Sequence, residues 1–151
     1  MNIDLKKVLP KDPSSFNGFT SIRILTALYL LVAVARSCIH VFAEDGGAES
    51  IAGIDVSVAG GNNIIAIFHQ WGATQLLLAL FLVLLFFRYP GLTPLILLSL
   101  AMDPVVRAIA GQFKAVTAVG TPPGESLNWV AFYVISVLFI ASLVEKKSKK
   151  D

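Results

Sequence analysis

Two ionisable residues stand inside an apolar stretch that is long enough to cross a lipid bilayer. The stretch is LTPLILLSLAMDPVVRAIAG, residues 92–111, and it carries Asp103 and Arg107. A charge near the centre of a spanning helix costs roughly 2.5 to 3.5 kcal/mol on insertion scales, so such residues face a bundle interior or a wet cavity. Because Asp103 and Arg107 are four residues apart, they share a helix face and can form an ion pair. Pro104 between them predicts a kink.

Polar side chains in the other apolar stretches can join this pair in one ligand-binding site. Arg36 and His40 share a face of the first stretch, and His69 begins the polar part of the second. Arginines and histidines outnumber carboxylates here, which suits a small anionic or quinone-like carbonyl ligand. No residue is assigned as catalytic or as a metal ligand, and the cofactor is unknown. The candidate ligand-binding residues are Arg36, His40, His69, Gln70, Gln75, Asp103, Arg107 and Asn128.

Four other interpretations of these residues stay open. One is a purely structural ion-pair network of Arg36, Asp103 and Arg107, which fixes the packing of the helices and binds no ligand. Arg36 can also snorkel toward the interface. His40 and His69 can supply two axial nitrogens to a haem or position a quinone carbonyl, which would make the chain a redox subunit. Asp103 can titrate in a proton-coupled carrier, which would require an oligomer.

The composition identifies an integral membrane protein. Of 151 residues 56% are hydrophobic, and the mean hydropathy is +0.75. One spanning helix needs about 20 residues, so four helices use about half of this length. Cys38 is the sole cysteine, which excludes an intramolecular disulfide. The net charge of +2 does not indicate nucleic-acid binding. The sequence also has no nucleophile elbow, metal-binding helix or phosphate loop.

The predicted fold is all-α: an antiparallel bundle of four transmembrane helices. Proline and glycine mark the connections, including a tight turn at RYPG, where Pro94 opens the third helix. Ser126 is the expected N-cap of the fourth. The predicted segments are an N-terminal arm at 1–19, spans at about 20–43, 64–87, 92–111 and 126–144, and a basic tail at 145–151.

Lysine and arginine positions predict that both termini are cytoplasmic. The inner side then carries nine such residues, against Lys114 alone on the outer side, which satisfies the positive-inside rule. Arg36 and Arg107 lie deep within spans and are not counted. The nine are Lys6, Lys7, Lys11, Arg23, Arg88, Lys146, Lys147, Lys149 and Lys150.

This topology places the polar half of every span on the outer side. At about 1.5 Å per residue, Asp103 lies about 2 Å beyond mid-membrane. Five other candidates lie about 6 to 12 Å beyond it: Arg36, Arg107, His69, His40 and Asn128. The inner halves are almost entirely Leu, Phe, Val and Ala. We therefore expect one shared polar pocket in the outer half, below the glycine-rich loop at 44–63.

From Ile64 to about Leu143 the layout resembles the DoxX-like small four-helix bacterial membrane proteins. The resemblance rests on the polar-then-apolar second span, the Pro90-Gly91 turn, a third span ending in RAIAG at 107–111, and a fourth span without charged residues. It implies a bundle in the bacterial inner membrane, in some relatives a partner in sulfur-compound or quinone-linked redox systems. No catalytic motif carries over.

The expected function is an accessory or small-ligand-binding subunit of the membrane, and more plausibly not an enzyme. The expected partners are the lipid bilayer, a homo-oligomer or larger membrane complex, and a small anionic or quinone-like ligand.

Overall fold

The computed structural model describes residues 3–144, and within that range the chain is helical without any strand. Five α-helices follow one another: α1 (Thr20–Phe42), α2 (Gly61–Arg88), α3 (Thr93–Phe113), the short α4 (Pro123–Ser126) and α5 (Asn128–Ser142). Single 3-10 turns lie at Leu5–Lys7 and Pro90–Leu92. The basic tail predicted at 145–151 lies outside the described residues.

Three helical segments are long and apolar enough to cross a membrane: Thr20–Phe42, Gly61–Arg88 and Pro90–Phe113. Leucine and phenylalanine side chains such as Leu77 and Phe87 are more than two-thirds exposed on their surfaces. A protein in water rarely leaves so much apolar surface uncovered, and a bilayer covers it. The chain is therefore compatible with a multi-pass membrane protein.

The fourth predicted span differs from the sequence expectation. It does not run unbroken over 126–144, because α4 ends at Ser126 and α5 begins at Asn128. Leu127 occupies the N-cap position of α5, and the Ser126 hydroxyl donates instead to the Pro123 carbonyl at 3.2 Å. The expected N-cap at Ser126 is therefore wrong. With 15 residues α5 is about 22 Å long, which is shorter than a hydrocarbon core of about 30 Å.

The other boundaries need smaller corrections. Helix α2 begins three residues earlier than predicted, at Gly61, and α3 continues two residues further, to Phe113. Pro94 lies in the first turn of α3, as predicted, and the helix continues through Pro104.

The helices pack mainly as two pairs, α1 against α2 and α3 against α5. A buried apolar core joins the pairs near the beginning of α1 and the turn between α2 and α3. Its members are Ile22, Leu30, Leu82, Phe86, Ile96, Leu97, Leu100, Ala101 and Ile135. Arg36 and Arg107 lie in the second halves of α1 and α3, away from this core end.

The N-terminal arm docks at the core end of the bundle. The amide of Gly91, in the turn between α2 and α3, donates to the Pro13 carbonyl at 2.8 Å. Ile3 forms an isolated antiparallel bridge with Val144, beyond the end of α5. The two ends of the described chain and the α2–α3 turn thus share one end of the molecule.

The glycine-rich loop covers the opposite end. The Asp45 carboxylate accepts from the amides of Gly47, Glu49 and Ser50, which folds the beginning of the loop into a compact turn. Further along, the Gly53 carbonyl accepts from the amide of Val119 at 2.8 Å, which ties this loop to the connection between α3 and α5.

Candidate functional site

Asp103 and Arg107 form the ion pair that their spacing predicts. Arg107 Nη2 lies 2.9 Å from Asp103 Oδ2. The pair is open, because 44% of the Asp103 side chain and 27% of the Arg107 side chain remain exposed. Charges at this depth of an apolar helix require a polar environment. The described chain covers the pair only in part.

Arg36 reaches this region from α1. Its Nη2 donates to Gln75 Oε1 of α2 at 2.9 Å, and its guanidinium carbon lies 5.7 Å from the centre of the Trp71 ring. The partner oxygen belongs to a neutral amide, so this hydrogen bond leaves the positive charge of Arg36 uncompensated. Arg36 also interacts electrostatically with Asp103 and Arg107 of α3. The structure thus brings Arg36, Gln75, Asp103 and Arg107 into one cluster.

Tyr29 is a further member that the sequence interpretation missed. Its hydroxyl interacts electrostatically with Asp103, Arg36 and Arg107. Tyr29 precedes Arg36 by seven residues, which is two helical turns along the same face of α1. That spacing is a signal that could have identified it. Together, Tyr29, Arg36, Gln75, Asp103 and Arg107 form what we call the charged cluster.

Asn128 adjoins the charged cluster from α5. Its Nδ2 donates to the backbone carbonyl of Pro104 at 2.9 Å, which fastens the beginning of α5 to the middle of α3. Asn128 Oδ1 and Arg107 Nε are both buried and have no hydrogen-bond partner among residues 3–144. An unsatisfied buried donor or acceptor costs about 1 to 3 kcal/mol, so these atoms favour a bound group with matching polarity.

The two histidines lie under the glycine-rich loop and bind its backbone or that of α1. His40 is buried, with Nδ1 2.7 Å from the Gly46 carbonyl oxygen, and His69 Nδ1 lies 3.0 Å from the Val41 carbonyl oxygen. Because a carbonyl only accepts, Nδ1 carries the proton in both rings. The His40 ring also packs 4.8 Å from Trp71, centre to centre. Both histidines thus have backbone partners of their own, and neither is a member of the charged cluster.

Gln70 is exposed, and the described contacts do not bring it into the charged cluster. The two concave surfaces described for residues 3–144 are lined by none of the predicted site residues. The candidate site is therefore an open cluster of charges rather than an enclosed pocket.

A groove of about 550 Å³ runs between α1 and α5. Its walls are apolar side chains of the two helices, and Tyr29 is among them. The groove exists because α1 and α5 belong to different helix pairs and touch each other little.

The described residues contain no group of three or more His, Cys, Asp or Glu side chains that could hold a metal ion. The chemistry that the cluster offers is recognition of negative charge or a carbonyl oxygen by guanidinium donors.

We find no protein-family model, no curated protein and no solved structure that matches this chain.

Proposed function

We propose that this chain is an accessory membrane subunit that binds a small anionic ligand at its charged cluster. The observation that carries the proposal is the Asp103–Arg107 pair, of which 44% of the Asp103 side chain and 27% of the Arg107 side chain stay exposed. An exposed ion pair on an apolar helix is costly in lipid, and a polar ligand removes that cost.

The charges of the cluster favour an anion. Asp103 pairs with Arg107, whereas the only hydrogen-bond partner described for the Arg36 guanidinium is the neutral amide of Gln75. A bound carboxylate or similar anion would supply the missing negative charge and an acceptor for the buried Arg107 Nε. A quinone-like carbonyl is the second candidate, because it offers an acceptor oxygen to the guanidinium donors.

We also propose that four helices cross a bacterial inner membrane with both termini in the cytoplasm, as in a DoxX-like bundle. The bridge between Ile3 and Val144 supports an even number of crossings, because it brings both ends of the described chain together. The lysine and arginine distribution supports a cytoplasmic location for that end. The glycine-rich loop and the charged cluster then lie toward the outer side.

Intrinsic fluorescence tests the proposed anion site. The chain has two tryptophans, so Trp129→Phe leaves Trp71, beside Arg36, as the single reporter. We expect benzoate to change Trp71 emission saturably, with a dissociation constant on the order of 1 mM or below for the protein in lipid nanodiscs. Arg107→Gln should abolish the saturable change.

The matched control is Arg88→Gln, which removes an exposed arginine at the opposite end of the bundle. This variant should bind benzoate like the parent chain. Equal responses in the Arg107 and Arg88 variants, or no saturable response in the parent, would contradict the proposal.

A further inference from the structure

The connection between α3 and α5 touches the charged cluster without joining the core. From residue 114 to residue 127 every residue is exposed or half-buried, and none is buried. Its apolar members Val116, Val119 and Leu127 are 63%, 89% and 59% exposed. A segment with so few buried apolar contacts opens locally at a low cost in free energy. This connection, residues 114–127, can therefore move while the core stays folded, and we call it the strap.

The strap meets the charged cluster at Arg107. A β-carbon on Gly124 would lie 3.5 Å from Arg107 Nη1, so the backbone of α4 passes beside the guanidinium group. Arg107 Nη2 is already paired with the Asp103 carboxylate, at 2.9 Å. The third nitrogen, Nε, is buried and has no hydrogen-bond partner among residues 3–144. An anion that approaches Arg107 at Nη1 therefore meets the strap.

Two hydrogen bonds determine which part of the strap can move. Asn128 Nδ2 donates to the Pro104 carbonyl at 2.9 Å, which holds the first residue of α5 on α3. Leu127 separates α4 from α5, so the chain can bend there. The Val119 amide donates to the Gly53 carbonyl at 2.8 Å, and this hydrogen bond holds the middle of the strap on the glycine-rich loop.

We propose that the strap is a lid, which swings away from Arg107 when an anion enters or leaves the charged cluster, and that the hydrogen bond between Gly53 and Val119 is its latch. This inference rests on the proposed function, because the lid controls access to the anion site. Neither latch residue belongs to the charged cluster, so the latch holds the free and the bound protein alike. Weakening it should therefore speed entry and exit equally and leave the affinity unchanged.

Relaxation of Trp71 fluorescence after a temperature jump tests the lid, in the Trp129→Phe chain in nanodiscs at a series of benzoate concentrations. The concentration dependence gives the association and dissociation rate constants. Val119→Pro removes the latch donor, because proline has no amide hydrogen. We expect both rate constants to rise by the same factor, about two- to tenfold as for the loss of one hydrogen bond.

Val116→Pro is the matched control on the strap. Val116 is also exposed, and its amide donates no hydrogen bond in the described part of the chain. This variant should relax like the parent chain, because the latch stays intact.

A second pair of variants tests the latch from the side of the glycine-rich loop. Gly53 and Gly60 both have positive φ, 67° and 88°, so alanine strains the backbone at either position. A β-carbon on Gly53 would lie 2.8 Å from the Val119 carbonyl oxygen, whereas one on Gly60 would have Asn63 Nδ2 as its nearest neighbour, at 3.8 Å. Gly53→Ala should therefore reproduce the faster exchange of Val119→Pro, and Gly60→Ala should not.

The outcomes distinguish the lid from the anion site. Benzoate binding that depends on Arg107, with parental rate constants in both Val119→Pro and Gly53→Ala, would overturn the lid and keep the site. A changed dissociation constant without a common rise in both rate constants would also overturn the lid, because it would show a structural effect on the site itself. Absence of Arg107-dependent benzoate binding in the parent chain would overturn both.

Discussion

Gly72 sets the closest approach between α1 and α2, beside the charged cluster. A β-carbon at this position would lie 2.6 Å from Cβ of His40 and 2.8 Å from its carbonyl carbon. The absence of a side chain therefore lets α2 lie directly against the α1 backbone, as small residues do in membrane helix packing. This contact also holds the His40 ring beside Trp71.

Gly72→Ala should separate the two helices and destabilise the protein. Overpacking a tight contact costs about 1 to 3 kcal/mol, and thermal unfolding in detergent measures the loss. Gly111→Ala is the control, because nothing lies within 4 Å of an added β-carbon there. That change should leave the unfolding temperature unchanged or raise it slightly, since alanine favours a helix over glycine by about 0.5 to 1 kcal/mol. Equal effects of the two changes would contradict the close-contact account.

Asp45 makes the glycine-rich loop sensitive to acid. Hydrogen bonds from the amide of Ser50 first, with those of Gly47 and Glu49 and the Ser50 hydroxyl, lower the pKa of Asp45 from 3.8 to about 2. A lowered pKa in the folded state means that the ionised carboxylate stabilises the loop at and above pH 3.8, and that this contribution is lost as the pH falls toward about 2.

We therefore expect hydrogen exchange of the Gly47 and Ser50 amides to lose protection over that acidic range. Asp45→Ala should remove the protection at every pH. Glu49→Ala should keep it, because only the backbone of Glu49 contacts Asp45. An unchanged profile in Asp45→Ala would refute this role of the carboxylate.

At the scale of helices and turns, the helix termini at the core end are joined by Arg23 of α1. Its guanidinium donates to the carbonyl oxygens of Phe86 and Pro90 and to the Thr93 hydroxyl, at 3.2 to 3.3 Å. It also lies 4.2 Å from the centre of the Phe86 ring. One side chain thus satisfies acceptors from the end of α2, the turn and the beginning of α3, which fixes three helices together.

Arg23→Lys should lower stability although it keeps the charge. A lysine ammonium is a single point of donation and cannot span these acceptors as the planar guanidinium does. We expect a loss of about 1.5 to 3 kcal/mol, as for hydrogen bonds of charged groups, measured by thermal unfolding in detergent. Arg88→Lys, at an exposed arginine of the same end, should have a much smaller effect. A similar loss in both variants would show that Arg23 has no special role.

At the scale of the whole molecule, the arrangement in two helix pairs creates both the site and the groove. The pairs join at the core end, and the space between α1 and α5 stays open. The sequence predicts the helices and places the polar residues at one end, because hydropathy and spacing are properties of single helices. It also predicts the Asp103–Arg107 pair for the same reason.

Other features depend on how helices rotate against one another, which periodicity alone does not determine. The hydrogen bond from Arg36 to Gln75, the contribution of Tyr29 and the groove belong to this class. The break at Leu127 was missed because Ser126 and the apolar run after it resemble a single capped helix. The fold of the loop over the histidines depends on the hydrogen bonds of Asp45. These lie within an irregular segment, where periodicity gives no prediction.

Cysteine labelling tests the proposed topology of the whole chain. In a Cys38→Ala background, we place a cysteine at an exposed position of the arm, Lys11→Cys, or of the glycine-rich loop, Ala59→Cys. A membrane-impermeant maleimide should label Ala59→Cys in intact cells and Lys11→Cys after lysis alone. Labelling of Lys11→Cys in intact cells would contradict a cytoplasmic N-terminus.

An experimental density map of the full chain in a lipid environment tests the central claim most directly. The account predicts density for a bound group in contact with the guanidinium groups of Arg36 and Arg107, beside the open face of Asp103. A map in which Arg36 turns away from α3, and the Asp103–Arg107 pair faces lipid with no group bound beside it, would contradict the account.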